Sequence, residues 1–151
     1  MTTRYAVYSN LGQLASREFG DLVVNWHILC LPNGDPTKLR LEIVDGSFLD
    51  IYCAPSGRYS YHWDRREQGD GFYRHDNAPH KRLRHLATYP KHFHAGQEDK
   101  TVESQISDQP ELALCEFLMD IQRLLPAKIT QEEIQNETSH THEPSGHGDG
   151  L

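Results

Sequence analysis

Two short segments of this sequence carry the side chains best suited to proton transfer or metal binding. The first is Arg74-His75-Asp76-Asn77-Ala78-Pro79-His80, and the second is Tyr89-Pro90-Lys91-His92-Phe93-His94. Histidine changes its charge near neutral pH and also ligates metals. Asp and Asn favour turns, because their side chains hydrogen-bond to nearby backbone. The first segment therefore predicts a rigid turn that projects His80, with the alternative that the turn is purely structural.

One interpretation of these residues is cleavage of RNA without a metal. That reaction needs a base for the 2′-hydroxyl, an acid for the leaving 5′-oxygen and cations at the phosphate. We predict that His80, with His92 or His94, exchanges the protons, and that Asp76 orients a histidine. The residues expected to bind the substrate are Arg74, Lys91, Arg82, Arg84 and Asn77.

A second interpretation is a metal site. His92 and His94 lie two positions apart, so on a strand they point the same way. With a third ligand such as His80 or Asp76 they could bind Zn or another divalent metal. The metal-free interpretation needs no cofactor, and a third possibility is a non-catalytic interaction module. The pattern alone leaves all three open.

The charge distribution favours a negatively charged partner for one part of the chain. Residues 58–94 contain six histidines, eight Lys or Arg and only four Asp or Glu, a net charge of +4 with neutral histidines. Seven aromatic residues are interleaved with these charges. Cations beside ring faces suit single-stranded RNA. Residues 96–151 carry a net charge of −9, so the overall −7 hides this asymmetry.

The elements that must position these residues are predicted to form an α+β fold. Alternating apolar residues predict five strands, at 22–31, 38–44, 47–54, 58–66 and 72–75, and residues 89–94 could add an edge strand. Tight turns such as Asp45-Gly46 join them, which predicts an antiparallel meander of five or six strands. Helical spacing predicts a short helix over 5–17 and a longer one over 108–125, packed on one face of the sheet.

The organisation of the chain is predicted to be simple. Residues 1–127 form one α+β domain, and residues 128–151 form an acidic, disordered tail. Cys30, Cys53 and Cys115 are far apart and odd in number, so we expect reduced core residues rather than disulfides. No apolar run is long enough for a signal peptide or a membrane span, so we expect a cytoplasmic protein without a membrane partner.

The same residues carry a family resemblance. The strand Arg58-Tyr59-Ser60-Tyr61-His62-Trp63, the turn from Arg74 to His80 and the string Thr88-Tyr89-Pro90-x-His92-x-His94 resemble the TumE family of bacterial toxin–antitoxin proteins, over roughly residues 22–125. His75 stands where that family more often has an aromatic residue, and Lys81 where a second histidine is common. The resemblance implies a small cytoplasmic toxin-like protein, encoded beside a helix-turn-helix antitoxin. A nuclease activity is our inference from the residues and does not come from the resemblance.

Overall fold

Within the residues that the structure describes, the chain folds into a seven-stranded sheet with two α-helices. The structure, a computed structural model, describes residues 3–125. The helices are α1 (Arg4–Glu18) and α2 (Pro110–Leu124). The strands are β1 (Val23–Cys30), β2 (Pro36–Ile43), β3 (Phe48–Cys53), β4 (Tyr59–Asp64), β5 (Phe72–Asp76), β6 (His92–Gly96) and β7 (Thr101–Glu103). Neither helix is long and apolar enough to cross a membrane.

The sheet is an antiparallel meander, as the spacing of turns predicted. The seven strands lie in the order of the sequence, and each pairs with the next. The Asp45-Gly46 turn joins β2 to β3, and Gly46 has φ +87°, a left-handed conformation that glycine adopts without steric cost. The α+β class is therefore confirmed, with one or two strands more than expected.

Both helices cover one face of the sheet, where the core lies. Alternate residues of β2, β3 and β4 point into this core and meet the apolar stripes of α1 and α2. Gly12 of α1 sits directly on the ring of Trp26, since a Cβ there would come within 2.3 Å of it. Gly12 therefore allows the helix to approach β1 closely.

Several predicted details were wrong. No strand is predicted between residues 94 and 108, but Thr101–Glu103 pairs with β6 as a seventh strand. In β1 a bulge between Val23 and Asn25 turns Val23 into the core and leaves Val24 exposed. The three cysteines are free, as expected, but Cys30 is exposed and the other two are half-buried rather than in the core. The predicted tail at 128–151 lies outside the described residues.

Candidate functional site

The sheet face opposite the helices carries a row of directly opposed polar residues. Cross-strand pairing places Arg40 against Asp50, Asp50 against His62, His62 against Arg74 and Arg74 against His94. Because side chains alternate between the two faces of a strand, all five point away from the core. We call the surface formed by these residues and their neighbours the open face.

At one end of the open face, Asp76, His92 and His94 form a buried cluster. Asp76 pairs with His92 across β5 and β6. Asp76 Oδ1 lies 3.0 Å from Nε2 of His92, and Asp76 Oδ2 lies 3.5 Å from Nε2 of His94. The exposed fractions are 7% for Asp76, 0% for His92 and 1% for His94. Neither histidine of this cluster reaches solvent.

The turn after β5 fixes the carboxylate of Asp76. The Ala78 amide donates to Asp76 Oδ1 at 3.0 Å. The side chain of Asn77 accepts from the Tyr59 amide and donates to the Gly57 carbonyl, both at 2.9 Å. The Asp-Asn composition predicted the turn, and the structure shows in addition that it is anchored to the start of β4. Asn77 has both its side-chain groups engaged in this anchoring.

Backbone carbonyls determine the orientation of both buried imidazoles. Nδ1 of His92 lies 2.9 Å from the carbonyl oxygen of Pro90, and Nδ1 of His94 lies 2.8 Å from that of Glu98. A carbonyl only accepts, so both Nδ1 atoms carry hydrogen, and in the neutral imidazoles the lone pair is on Nε2. Nε2 of His92 is close to Asp76 but not aligned with it, and it has no hydrogen-bond partner among the described residues.

The two histidines, the Ala78 amide and Arg74 together stabilise the charge of Asp76. Burial by itself would raise the pKa of Asp76, but contact with His94, the Ala78 amide and the charges around it hold that pKa well below its usual range. Arg74 Nε lies 3.1 Å from Asp76 Oδ2, and its Nη2 lies 3.2 Å from Nε2 of His94. The same guanidinium donates to both carboxylate oxygens of Glu98, at 3.1 and 3.0 Å.

The structure brings the three predicted histidines together, but in different environments. The ring centroids of His80 and His92 are 5.9 Å apart, and those of His92 and His94 are 5.0 Å apart. His80 is exposed beside the cluster, whereas the other two are enclosed. Their proximity is confirmed, and their roles stay predictions.

The predicted substrate-binding cations are distributed differently. Arg82 and Arg84 are exposed on the connection between β5 and β6. Lys91 instead binds the carbonyl of Ile106 and lies 3.2 Å from Oδ1 of Asp108.

The structure also selects the third member of the potential metal site. Asp76, rather than His80, joins His92 and His94 in a group whose potential ligand atoms all lie within 4.8 Å of one another.

Sequence reasoning missed two contributors to the site. Glu98 holds Arg74 and offers its backbone carbonyl to His94, but it lies in a polar stretch without periodicity. His62 stacks on Phe72 at a centroid distance of 5.0 Å. Its alternation with Tyr61 and Trp63 in β4 already indicated the polar face.

Comparison with known proteins identifies the family. Residues 31–125 match the family model described as Toxin TumE. No curated protein and no solved structure gives a significant match. The matched region contains β2 to β7, α2 and every residue of the cluster. The chain therefore belongs to the TumE family, with a toxin-like role and an antitoxin as the partner which that role implies.

Proposed function

We propose that this toxin acts on single-stranded RNA as a histidine-dependent endoribonuclease. The observation that carries the proposal is the open face, a sheet surface without a covering helix, on which rings and cations lie side by side and next to which His80 is exposed. The family assignment gives a toxin-like role but no substrate, and the proposal names single-stranded RNA as that substrate.

The rings of the open face are placed for base stacking. The guanidinium of Arg40 lies 4.0 Å from the ring centroid of Phe48, and that of Arg74 lies 5.2 Å from the centroid of Phe72. A pocket of about 220 Å³ on the same face is lined by His62, Arg74 and Tyr52, among others. Unstacked bases bind to aromatic rings and guanidinium planes on sheets of this kind.

Proton transfer falls to His80, because a fully buried imidazole cannot contact a substrate. In the proposed reaction a base takes the proton of the 2′-hydroxyl, the 2′-oxygen bonds to phosphorus, and the 5′-oxygen leaves with a proton. His80 performs one of these transfers. His92, whose ring centroid is 5.9 Å from that of His80, and Asp76 beside it act as positioning residues.

The phosphates would be held by the exposed connection between β5 and β6. Lys81 and Arg84 have no salt bridge within residues 3–125, whereas Arg40 and Arg74 are paired with carboxylates. Burial acts to raise the pKa of Glu98, but Arg74, His94 and, more weakly, Arg82 lower it. The charge of Arg82 therefore acts on anionic groups near this end of the site. This connection is therefore the nearest concentration of accessible positive charge to His80.

The same proposal includes the cellular setting. We expect a cytoplasmic toxin whose antitoxin is a helix-turn-helix protein encoded next to it. Co-expression with the product of the adjacent reading frame should restore growth, and a neighbour without such a fold would contradict this part.

The test compares binding and cleavage of a fluorescent single-stranded RNA by the full chain. His80→Ala should leave binding intact and lower the cleavage rate by roughly 100-fold or more, the usual contribution of a general acid or base. His85→Ala is the matched control, since His85 is another exposed histidine of the same connection. It should keep both activities.

The phosphate contacts are tested by Arg82→Ala with Arg84→Ala. Each lost contact flattens the log–log dependence of affinity on salt by about 0.7 for single strands, so the double variant should lose about 1.4. Absence of salt-sensitive binding by the full chain at low ionic strength would overturn the proposal. Cleavage that survives His80→Ala would overturn the role of His80.

A further inference from the structure

We propose that Asp76, His92 and His94 form a binding site for one divalent first-row transition metal, of which Zn²⁺ is the representative. The proposal does not require RNA to be the substrate, because metal binding is measured directly. Of the two third ligands that the sequence left open, His80 and Asp76, it selects Asp76.

The donor atoms have the composition and spacing of such a site. Two imidazole nitrogens and one carboxylate converge, and the three potential ligand atoms lie within 4.8 Å of one another. With metal–ligand bonds of about 2.0–2.2 Å, tetrahedral ligands are roughly 3.3 Å apart. The pairs Asp76–His92 and Asp76–His94, at 3.0 and 3.5 Å, already bracket that separation. Nitrogen donors favour Zn²⁺, Co²⁺ or Fe²⁺ over Mg²⁺ and Ca²⁺, which prefer oxygen.

The outer hydrogen bonds also match a metal site. A histidine that ligates through one ring nitrogen usually donates its other N–H to a carbonyl or carboxylate, which fixes the tautomer. His92 does so to Pro90 and His94 to Glu98. Both rings are therefore held with Nε2 close to the carboxylate of Asp76, at 3.0 Å for His92 and 3.5 Å for His94. The Ala78 amide and the anchored turn hold that carboxylate in place.

Nε2 of His92 is the observation that points most directly to a ligand. It is fully buried, it lies 3.0 Å from a carboxylate oxygen without being aligned with it, and it has no hydrogen-bond partner in the described part of the chain. A ring nitrogen so close to a carboxylate needs a positive charge, which either a proton on Nε2 or a cation beside the two groups supplies. A bound cation meets that need for both groups at once.

Arg74 is the competitor for this position. In the structure it contacts Asp76 Oδ2 and Nε2 of His94, two of the three ligand atoms, and so supplies positive charge where the metal would sit. It is also bound to both carboxylate oxygens of Glu98. Arg74 can therefore keep its partner Glu98 while it gives up the other two contacts. We expect metal binding to displace Arg74 towards Glu98.

The experiment titrates Co²⁺ and Zn²⁺ into full-length, tag-free protein stripped with a chelator. All samples carry His140→Asn, His142→Asn and His147→Asn, because these histidines, outside the described residues, could bind metal themselves. Visible absorption of Co²⁺ reports nitrogen ligation, and calorimetry with Zn²⁺ gives affinity and stoichiometry. The parent should bind about one ion per chain.

Three site variants and one control test the ligand set. Asp76→Asn, His92→Gln and His94→Gln should each weaken binding by roughly 100-fold, or tenfold at the least. His62→Gln is the matched control, since His62 is a half-buried histidine next to a carboxylate on the same face, 3.4 Å from Asp64. It should bind the metal as the parent does.

Arg74→Met keeps the test decisive even where a ligand variant fails to fold. Removal of the competing charge should tighten Zn²⁺ binding roughly tenfold or more. Absence of stoichiometric binding in both the parent and Arg74→Met would overturn the proposal. Binding that is unchanged in all three ligand variants would equally overturn it, because the metal would then lie elsewhere. RNA cleavage is not measured in any arm, so this result stands apart from that of the RNA experiment.

Discussion

Replacement of His75 by phenylalanine should remove part of the acid sensitivity of the fold. His75 points to the core side of β5, where its ring stacks on Phe93 at 4.3 Å and meets the edge of Phe117 at 4.9 Å. Its Nδ1 lies 2.7 Å from Oγ of Ser104. Burial, with a smaller contribution from the charge of Lys91, lowers the pKa of His75 from 6.5 to about 4.

The sign and size of the effect follow from that pKa. The folded state resists protonation of His75, whereas the unfolded chain takes up the proton near pH 6.5. The stabilisation is therefore fully present above pH 6.5 and is lost as the pH falls from 6.5 towards 4. Between pH 7.5 and pH 5 the loss amounts to about 2 kcal/mol in the free energy of unfolding.

Urea unfolding at these two pH values measures the effect. Because Ser104 is buried and would lose its partner, both proteins should carry Ser104→Ala, so that His75→Phe is the only difference between them. The protein that retains His75 should lose about 2 kcal/mol more on acidification than the His75→Phe variant. Chelator in all samples excludes metal effects. Equal losses in the two proteins would refute the reasoning, since all other titrating groups are shared.

Two further substitutions test which buried contacts stabilise the fold. A Cβ at Gly71 would lie 1.8 Å from the carbonyl oxygen of Gly96, and neither backbone can move away easily. Gly71→Ala should therefore lower the free energy of unfolding by at least about 2 kcal/mol. Near-parent stability in thermal unfolding would contradict the close contact. Arg65 is buried and lies 3.1 Å from Asp45, so Arg65→Met should cost about 3–5 kcal/mol by leaving that carboxylate without its cation. Arg17→Met, at an exposed ion pair, should cost less than about 1 kcal/mol in the same assay, and equal costs would show that burial is not the cause.

The order of the strands was accessible from the sequence because it depends on local signals. The Asp45-Gly46 turn and the alternation in β2, β3 and β4 specify hairpins between neighbours in sequence. β7 has only three residues, Thr101–Glu103, and its apolar content is low, so its pairing with β6 leaves no pattern in the sequence. The bulge in β1 likewise has no local signal, although it places Val23 in the core and leaves Val24 exposed.

The composition of the cluster was only half accessible. That His92 and His94 point the same way follows from their spacing. Their meeting with Asp76 rather than His80 depends on the register of β5 and β6, which are joined by a connection of fifteen residues, 77–91. A tight turn fixes register locally, whereas a connection of this length does not. The sequence therefore offered both Asp76 and His80 as the third member, and the choice between them had to come from the structure.

Formal charge overstated the basic character of the 58–94 stretch for a related reason. Arg65 is buried between Asp45 and Asp70, Arg66 is paired with Asp64, and Arg74 is held by Asp76 and Glu98. These partners are brought in by strand pairing and by turns. The accessible positive charge is concentrated on the connection that contains Lys81, Arg82 and Arg84. This connection is therefore the proposed contact for RNA phosphates.

Burial of His92 and His94 determines how the two proposals relate to each other. Groups that exchange protons with a substrate must reach it, and among the three histidines only His80 is exposed. Groups that ligate a metal gain from enclosure, because enclosure fixes their orientation and excludes competing water. The two proposals thus place proton transfer on the exposed His80 and cation binding on the buried Asp76, His92 and His94. Loss of His80 should therefore abolish proton transfer while metal uptake persists, and loss of Asp76 should remove metal uptake whether or not RNA is the substrate.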